Sequence, residues 1–403
     1  MPAEAEEQAR YVALLEEMGV LGSETLRQAF AVVRRHRFLD GWYRLAVGED
    51  GVPSFEHRTF DLNRPSPEDL QEIYSNRALV TAVEGWQPTS STSQLALVAR
   101  MLSLLDPRAG HSVMEIGTGT GYNAALLREV VGTKGRVCTL EIQKSVAKRA
   151  EQRLADEGYA DVAVLAGDAY CGGEHLAPYD RILATAGCSD VSPHWMEQLT
   201  PEGCMLLPLQ HGFGDPLVRI ERDPSLPGSG VGRVVGDSNF MPIRGELRWR
   251  SPWDLLLTGG LSESPDRVYP LPAGLGKDGS GRDASTAADR LRSYSFFLSL
   301  TARVVRYPGI GVGISEPATG SVALVMDEAI NGYAGRGHTR SLDALYDRLA
   351  YLSDAWRTLG CPAPEDYVLR FVPRTQVLDT KRMSDRYWVI DRLDHFEIVE
   401  LCS

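Results

Sequence analysis

Val113-Met114-Glu115-Ile116-Gly117-Thr118-Gly119-Thr120-Gly121-Tyr122 is the stretch whose reading decides the fold. A short apolar run closes on glycines and passes into a helical pattern over Tyr122–Val131, the strand–turn–helix context of a nucleotide-binding turn. Glycines let the backbone approach a ligand closely and take positive φ without a side-chain clash. The spacing is G-x-G-x-G, not the G-x-G-x-x-G of a dinucleotide fold, whose last glycine makes room for a pyrophosphate. With Glu115 just before it, the loop fits a ligand that lacks a pyrophosphate and carries an ammonium on an amino-acid end.

Two acidic residues extend the pattern downstream. Glu141 closes the run Val137-Cys138-Thr139-Leu140, twenty positions after Gly121, where an acid accepts hydrogen bonds from ribose hydroxyls. Gly167-Asp168-Ala169 follows the next apolar run, and there Asp168 is placed to accept from an adenine amino group. The bland alternative is that each acid only caps the element after it, which is weaker for the pair than for either alone. Ser112–Ile116, Arg136–Ile142, Val162–Ala166 and Tyr179–Ala184 read as strands, alternating with helices over Tyr122–Val131 and Lys144–Glu157. A short helix begins at Trp195–Leu199, and Gly203–Pro208 and Pro216–Glu221 read as further strands. This alternation predicts an α/β, Rossmann-like, doubly wound parallel sheet with right-handed crossovers.

Toward the N-terminus, residues 6–18 and 23–36 read as helices, the second capped by Ser23. Gly41–Pro67 reads as loop or short extended pieces, and a helix from residue 93 ends at Asp106-Pro107. Toward the C-terminus, residues 264–286 are dense in Pro, Gly, Ser and Asp and read as a linker or loop. Beyond them Ala302–Tyr307, Gly311–Ser315, Ser321–Met326, Tyr367–Val372 and Tyr387–Ile390 read as strands. Ser341–Leu359 reads as an amphipathic helix with Leu342, Leu345, Leu349, Leu352, Trp356 and Leu359 on one stripe, stopped by Gly360 and Pro362. These pieces predict a smaller α+β unit. Its helix is expected to bury that stripe as core, although Trp249, Trp253 and Trp356 offer a candidate peptide-recognition surface.

Composition narrows the classes of function. At 403 residues two structural units are expected, and 43% hydrophobic with 24% charged residues is an ordinary globular balance. A net charge of −12 argues against general nucleic-acid binding, which needs a basic face. No apolar run approaches the roughly 18–20 residues that span a bilayer, and the acidic start MPAEAEEQARY does not read as a secretory leader. A cytoplasmic protein without a membrane partner is expected. The cysteines at 138, 171, 188, 204, 361 and 402 form no C-x-x-C pair, and the histidines are scattered, so neither disulfides nor a metal site is expected.

The run Val113–Leu127 resembles the first motif of the protein-L-isoaspartate O-methyltransferase family. So do Gly167-Asp168-Ala169, Pro178–Ala186 and Gln198–Gly203. Val33–Phe38 is similar to the family's V-P-R-H-x-F segment with Arg34 in place of proline, and Ser91–Leu95 to its T-I-S-Q-P segment with Leu95 in place of proline. The resemblance covers roughly residues 20 to 245 and implies S-adenosyl-L-methionine as cofactor. It also implies carboxyl methylation of a peptide or protein that bears an aspartyl or isoaspartyl residue. It places Ser93 beside the acceptor carboxylate, and Thr185 is the second candidate catalytic residue. The candidate cofactor-binding set is Glu115, Gly117, Thr118, Gly119, Gly121, Tyr122, Asn123, Glu141, Ile142, Gly167, Asp168, Ala169 and Thr185. The expected division is a methyltransferase domain over 1–250 and a C-terminal α+β extension over 251–403. A long extension resembles family members tied to ribosomally made, modified peptides such as lanthipeptides, which implies a dedicated aspartyl substrate passing through a methyl ester to aspartimide or isoaspartate. General repair of isoaspartyl proteins and a non-catalytic binding module are the alternatives.

Overall fold

The computed structural model describes residues 3–47, 53–211, 215–248, 264–272, 275, 284–302, 304–307, 311–326, 328–376 and 386–402. They fall into two units. The first holds residues 1–208, 219–230 and 240–248, and the second holds residues 209–218, 231–239 and 249–403.

The first unit opens with helices α1 (Ala3–Glu17) and α2 (Glu24–Val32). Ser23 caps α2 as expected, its hydroxyl accepting from the Leu26 amide at 3.1 Å. The helix stops at Val32 rather than running to 36, because Val33 and Arg34 are extended and a single 3-10 turn follows. That turn, Arg35–Phe38, buries Arg35, His36 and Phe38.

Where loop or short extended pieces were expected over 41–67, the chain forms a paired hairpin of β1 (Gly41–Val47) and β2 (Pro53–Thr59), running from Gly41↔Thr59 to Val47↔Pro53. Trp42 anchors its inner end, buried with its indole N–H on Glu72 Oε1 at 2.8 Å. Its outer end leaves Leu45 and Val47 exposed, so no clean alternation marks it in the sequence. Helix α3 (Pro67–Ile73) and strands β3 (Leu79–Glu84) and β4 (Gln87–Thr92) follow, giving an antiparallel sheet in the order β2-β1-β3-β4.

Helix α4 (Leu95–Leu105) leads into the alternating region: β5 (Ser112–Ile116), α5 (Tyr122–Val131), β6 (Arg136–Glu141), α6 (Lys144–Asp156), β7 (Ala163–Ala166), β8 (Tyr179–Ala184), α7 (Pro193–Gln198) and β9 (Leu199–Pro208). The strands pair in parallel in the order β9-β8-β5-β6-β7. This is the doubly wound α/β arrangement that the sequence predicts. Its chain order reverses between β5 and β8, and ligands bind outside the carboxyl ends of strands at such a switch point. Strands β10 (Asp215–Arg222) and β11 (Gly230–Ser238) are each divided between the two units.

The second unit contains β12 (Arg267–Pro270), α8 (Ala284–Thr301), β13 (Val304–Tyr307), β14 (Gly311–Glu316), β15 (Ser321–Val325), β16 (Ala329–Tyr333), α9 (Arg340–Thr358), β17 (Tyr367–Pro373), β18 (Tyr387–Asp391) and β19 (His395–Leu401). An antiparallel sheet in the order β12-β16-β15-β14-β13 takes the stripe of α9 onto it. Leu342, Leu345, Leu349, Leu352 and Trp356 are buried in that core, so Trp356 is packing and not a recognition surface. Trp249 and Trp253 lie outside the described residues.

The stretch read as a 264–286 linker contains β12 and the start of α8, and Ala302 follows a helix instead of opening a strand. Helix α8 hides from periodicity because serines interrupt its apolar residues. In the fold their hydroxyls turn back onto the helix: Ser293 donates to Asp289 O at 2.8 Å, Ser295 to Leu291 O at 2.5 Å, and Thr301 to Phe297 O at 3.0 Å. A hydroxyl satisfied in this way can be buried inside a helix.

Beneath β19 lies a buried charge group. Glu397 accepts from Arg392 Nε at 2.6 Å and sits 3.0 Å from His211 Nε2, with all three side chains shut away from solvent. Burial alone would raise the Glu397 pKa, but the charges of Arg392 and His211 hold it well below the usual carboxylate range. Its stabilisation is therefore present at neutral pH and fades only as pH falls far below the ordinary glutamate range. Arg392→Met should cost about 3–5 kcal/mol at neutral pH, since it strands a buried carboxylate. Denaturant titrations should show this deficit narrowing as pH falls and the stranded Glu397 takes a proton.

Candidate active site

The glycine loop leaves β5 in a conformation that only glycine takes without strain. Gly117, Gly119 and Gly121 have φ of 97°, 54° and 89°. A Cβ on Gly117 would lie 2.6 Å from Thr185 Oγ1, and one on Gly121 would lie 3.2 Å from Leu154 Cγ. Thr185 follows β8, across the switch point. Its hydroxyl donates to Gly117 O at 2.8 Å and lies 3.1 Å from Ile116 O, and its amide donates to Ile116 O at 2.9 Å. The single Thr185 hydroxyl proton is thus spent on the loop, which makes the residue a clamp rather than a donor to an acceptor carboxylate.

Glu115 is fully buried at the end of β5. One oxygen accepts from Asn123 Nδ2 at 2.6 Å and the other from Thr139 Oγ1 at 2.6 Å. Thr139 in turn lies 2.8 Å from Thr118 Oγ1, so Glu115, Thr118 and Asn123 form one network that ties the loop and α5 to β6. Burial pushes the Glu115 carboxyl up to about 7 against the opposing pull of its two donors. Tyr122 goes elsewhere: its ring packs edge-on against Phe38 at 5.8 Å, inside the core.

Both acids of the expected constellation sit at strand ends, and both also hold backbone. Glu141 accepts from Gly119 N at 3.1 Å and Gln143 N at 3.0 Å. Asp168 accepts from Tyr170 N at 3.0 Å and Glu246 N at 2.8 Å. A carboxylate offers about four lone-pair sites, so two amides leave acceptor capacity on each. Ile142 beside Glu141 is exposed, an apolar side chain next to that acid. Gly167 donates to Glu141 O at 2.9 Å, and the Ala169 carbonyl accepts from the Trp195 indole at 2.7 Å. No local pattern marks the closure of Gly245-Glu246 on Asp168: Gly245, at φ 86°, packs so tightly that a Cβ would lie 2.2 Å from Asp168 Oδ2.

Ser93 lies half-buried between β4 and α4. Its hydroxyl does not cap the helix that follows. Gln94 is the N-cap of α4, without a side-chain cap bond, and Asn76 Oδ1 takes the Ala96 amide at 3.0 Å. The end of β4 lies close to the glycine loop, with Ser91 O 3.3 Å from where a Gly119 Cβ would stand. Beside Gly119 and Thr120 a cleft of about 420 Å³ opens, lined also by Thr89, Ser90, Gln143 and Arg149. Gln143 holds its wall by donating to Thr89 O at 2.8 Å.

Residues 65–246 match the model of the family described as protein-L-isoaspartate(D-aspartate) O-methyltransferase. A relative from Archaeoglobus fulgidus, protein-L-isoaspartate O-methyltransferase 2, is 36% identical over 203 residues, covering 49% of this chain and 90% of the relative. The chain belongs to the protein-L-isoaspartate O-methyltransferase family. A second member, from Methanopyrus kandleri, is 34% identical over 244 residues, 60% of this chain and 93% of its own. A solved structure named protein-L-isoaspartate O-methyltransferase superposes with a TM-score of 0.52 at 23% identity, covering 90% of this chain and 96% of that one. Such coverage cannot be reached without most of the residues past 250. The aligned region thus takes in most of the extension. Among the described residues, no helix is long and apolar enough to cross a membrane.

The raised Glu115 pKa makes a prediction about this family member. Its folded value of about 7 lies above the ordinary 4.5, so the stabilisation it gives is full below 4.5 and is lost as pH rises through 7. In ligand-free protein, wild type should lose stability relative to Glu115→Gln across that interval. Unfolding free energies by denaturant at several pH values test this, and a difference that stays flat with pH would contradict it.

Proposed function

We propose that the first unit methylates the free carboxylate of an isoaspartyl residue in a protein or peptide, with Ser93 orienting that carboxylate. The enzyme is a protein carboxyl O-methyltransferase, and S-adenosyl-L-methionine is the methyl donor. The observation that carries the assignment is the meeting of the positive-φ glycine loop with the end of β4 at Ser90 and Ser91, just before Ser93, at the β5/β8 switch point. The residues present fit the donor. The glycine backbone leaves open approach, Glu141 and Asp168 retain acceptor capacity at successive strand ends, and Glu115 adds a buried acid below the loop.

When bound, the donor supplies a methyl group on a sulfonium, a ready electrophile. A peptide carboxylate has a pKa near 4 and is ionised at neutral pH, so the protein needs no general base. What the chain must do is hold one acceptor oxygen in place and keep water away. The Ser93 hydroxyl, not used as a cap, follows the strand end that meets the loop. The cleft beside Gly119 gives a peptide room to approach. Once the ester has formed, the following peptide nitrogen attacks its carbonyl. Methanol departs with the amide proton, and a five-membered succinimide closes.

The narrower reading, an ordinary aspartyl residue of a modified ribosomal peptide converted to aspartimide, rested on the extension. A solved structure named for this family aligns over most of that extension, so the extension alone does not favour the narrower reading. We therefore adopt the isoaspartyl acceptor. Paired peptides that differ only in aspartyl or isoaspartyl linkage should separate the two readings, with methyl transfer confined to the isoaspartyl isomer. Transfer to the aspartyl isomer alone would reverse the assignment. Ser93→Ala should lower turnover by about 10- to 100-fold, the worth of one hydrogen bond to a charged group. The affinity for S-adenosyl-L-methionine, read by calorimetry, should be unchanged.

A further inference from the structure

We propose that Arg35 is a positioning residue for methyl transfer, which fixes the backbone that presents Ser93; this rests on the acceptor role given to Ser93 above. Arg35 is fully buried. Burying a guanidinium is expensive unless its charge is met. Here the partners are backbone carbonyls: Ile73 O at 2.6 Å, Ser75 O at 3.3 Å, Arg77 O at 3.1 Å, Thr92 O at 3.4 Å and Ser93 O at 2.9 Å.

Those carbonyls come from two places. Ile73 ends α3, Ser75 and Arg77 belong to the linker between α3 and β3, and Thr92 and Ser93 form the β4–α4 junction. Only a planar fork with several donors stitches two irregular segments together in this way. The arrangement also works in both directions along the chain. The linker that Arg35 grips carries Asn76, whose side chain caps α4 just past Ser93 at the Ala96 amide. The Ser93 carbonyl is thus held by Arg35, while the helix that follows is held by the segment Arg35 has fixed.

The cation has a second set of neighbours. Tyr11, Tyr74 and Tyr122 lie close enough for their hydroxyls to feel its charge. Tyr122 is the first residue of α5, directly after the glycine loop. One buried charge therefore stands between the segment that presents the acceptor-side hydroxyl and the helix that leaves the donor loop. A group needed only to fill this core would be better replaced by an apolar side chain of similar volume. The hydrogen-bond pattern instead serves the geometry at Ser93.

The test uses full-length enzyme with Arg35→Lys, Arg35→Met, Asn76→Ala and Ser93→Ala. The readouts are the melting temperature, S-adenosyl-L-methionine affinity by calorimetry, and kcat and KM on an isoaspartyl peptide. Arg35→Met should lower kcat by about 10- to 100-fold, the scale expected from displacing a positioned group by about an ångström. Its affinity for the donor should stay within about threefold, because the donor loop is held separately by Thr185 and Glu115. Arg35→Lys should recover part of kcat, and Asn76→Ala should lower kcat in the same direction. Unchanged kcat in Arg35→Met would overturn the proposal. So would a loss of donor affinity that matches the loss of kcat, which marks general damage. If Arg35→Met does not fold, full kcat in both Arg35→Lys and Asn76→Ala overturns it. Ser93→Ala separates this proposal from the reading beneath it. Full turnover there with reduced kcat in the Arg35 variants rejects the Ser93 role and leaves Arg35 as the holder of the acceptor-side segment. The opposite pattern rejects Arg35.

Discussion

The contact between Gly117 and Thr185 sets the terms for the rest of the site. The chain must leave β5 and enter α5 within a few residues, at the point where the strand order turns back toward β8. With Gly117 at positive φ and pressed on Thr185 Oγ1, no side chain fits between the two strand ends. The clamp also explains why two distant stretches of sequence answer one another. A hydroxyl after β8 is needed because the carbonyls of Ile116 and Gly117 turn toward it and require a donor. Once the loop is closed in this way, its amides and the ends of β6 and β7 face one region, where the acids Glu141 and Asp168 stand.

Buried charge is met by three different devices. Glu115 has neutral donors only, so burial wins and its pKa rises. Glu397 has Arg392 and His211 against it, so the charges win and its pKa falls despite complete burial. Arg35 is held by backbone carbonyls; its charge is spread over their dipoles, and it stays a cation because guanidinium hardly loses its proton in proteins. The first two show in the pH dependence of stability. The third ties irregular segments together, which is why a function at the acceptor side follows from it.

The parallel sheet was legible in the sequence because its central strands are largely buried on both faces. Buried parallel strands read as short continuous apolar runs, and Ser112–Ile116 and Tyr179–Ala184 carry that signature with matching bounds. The stripe of α9 was legible for the complementary reason, one face being apolar at helical spacing. The hairpin β1–β2 was not, since its burial is concentrated at Trp42 and fades along the strand. Helix α8 was hidden by hydroxyls that become harmless only when they bond to their own helix. At the site, the glycines and acids announced themselves by spacing. Asn76, Gly245 and the partners of Arg35 act through distant backbone, and no local pattern in a single sequence reports that.

The backbone-holding role of Glu141 and Asp168 is compatible with the ligand-binding role proposed for them. Each carboxylate grips two amides, and those bonds fix its rotamer at the strand end. A free acid at either place would have to give up its rotamer freedom on binding, a penalty of the order of 0.5–1.5 kcal/mol for each immobilised side chain. Here that ordering is met during folding, by amides that the turns must satisfy in any case. The remaining lone pairs then point in directions set by the fold. An acid that looks occupied is for that reason the better acceptor, since the bonds that occupy it also aim it.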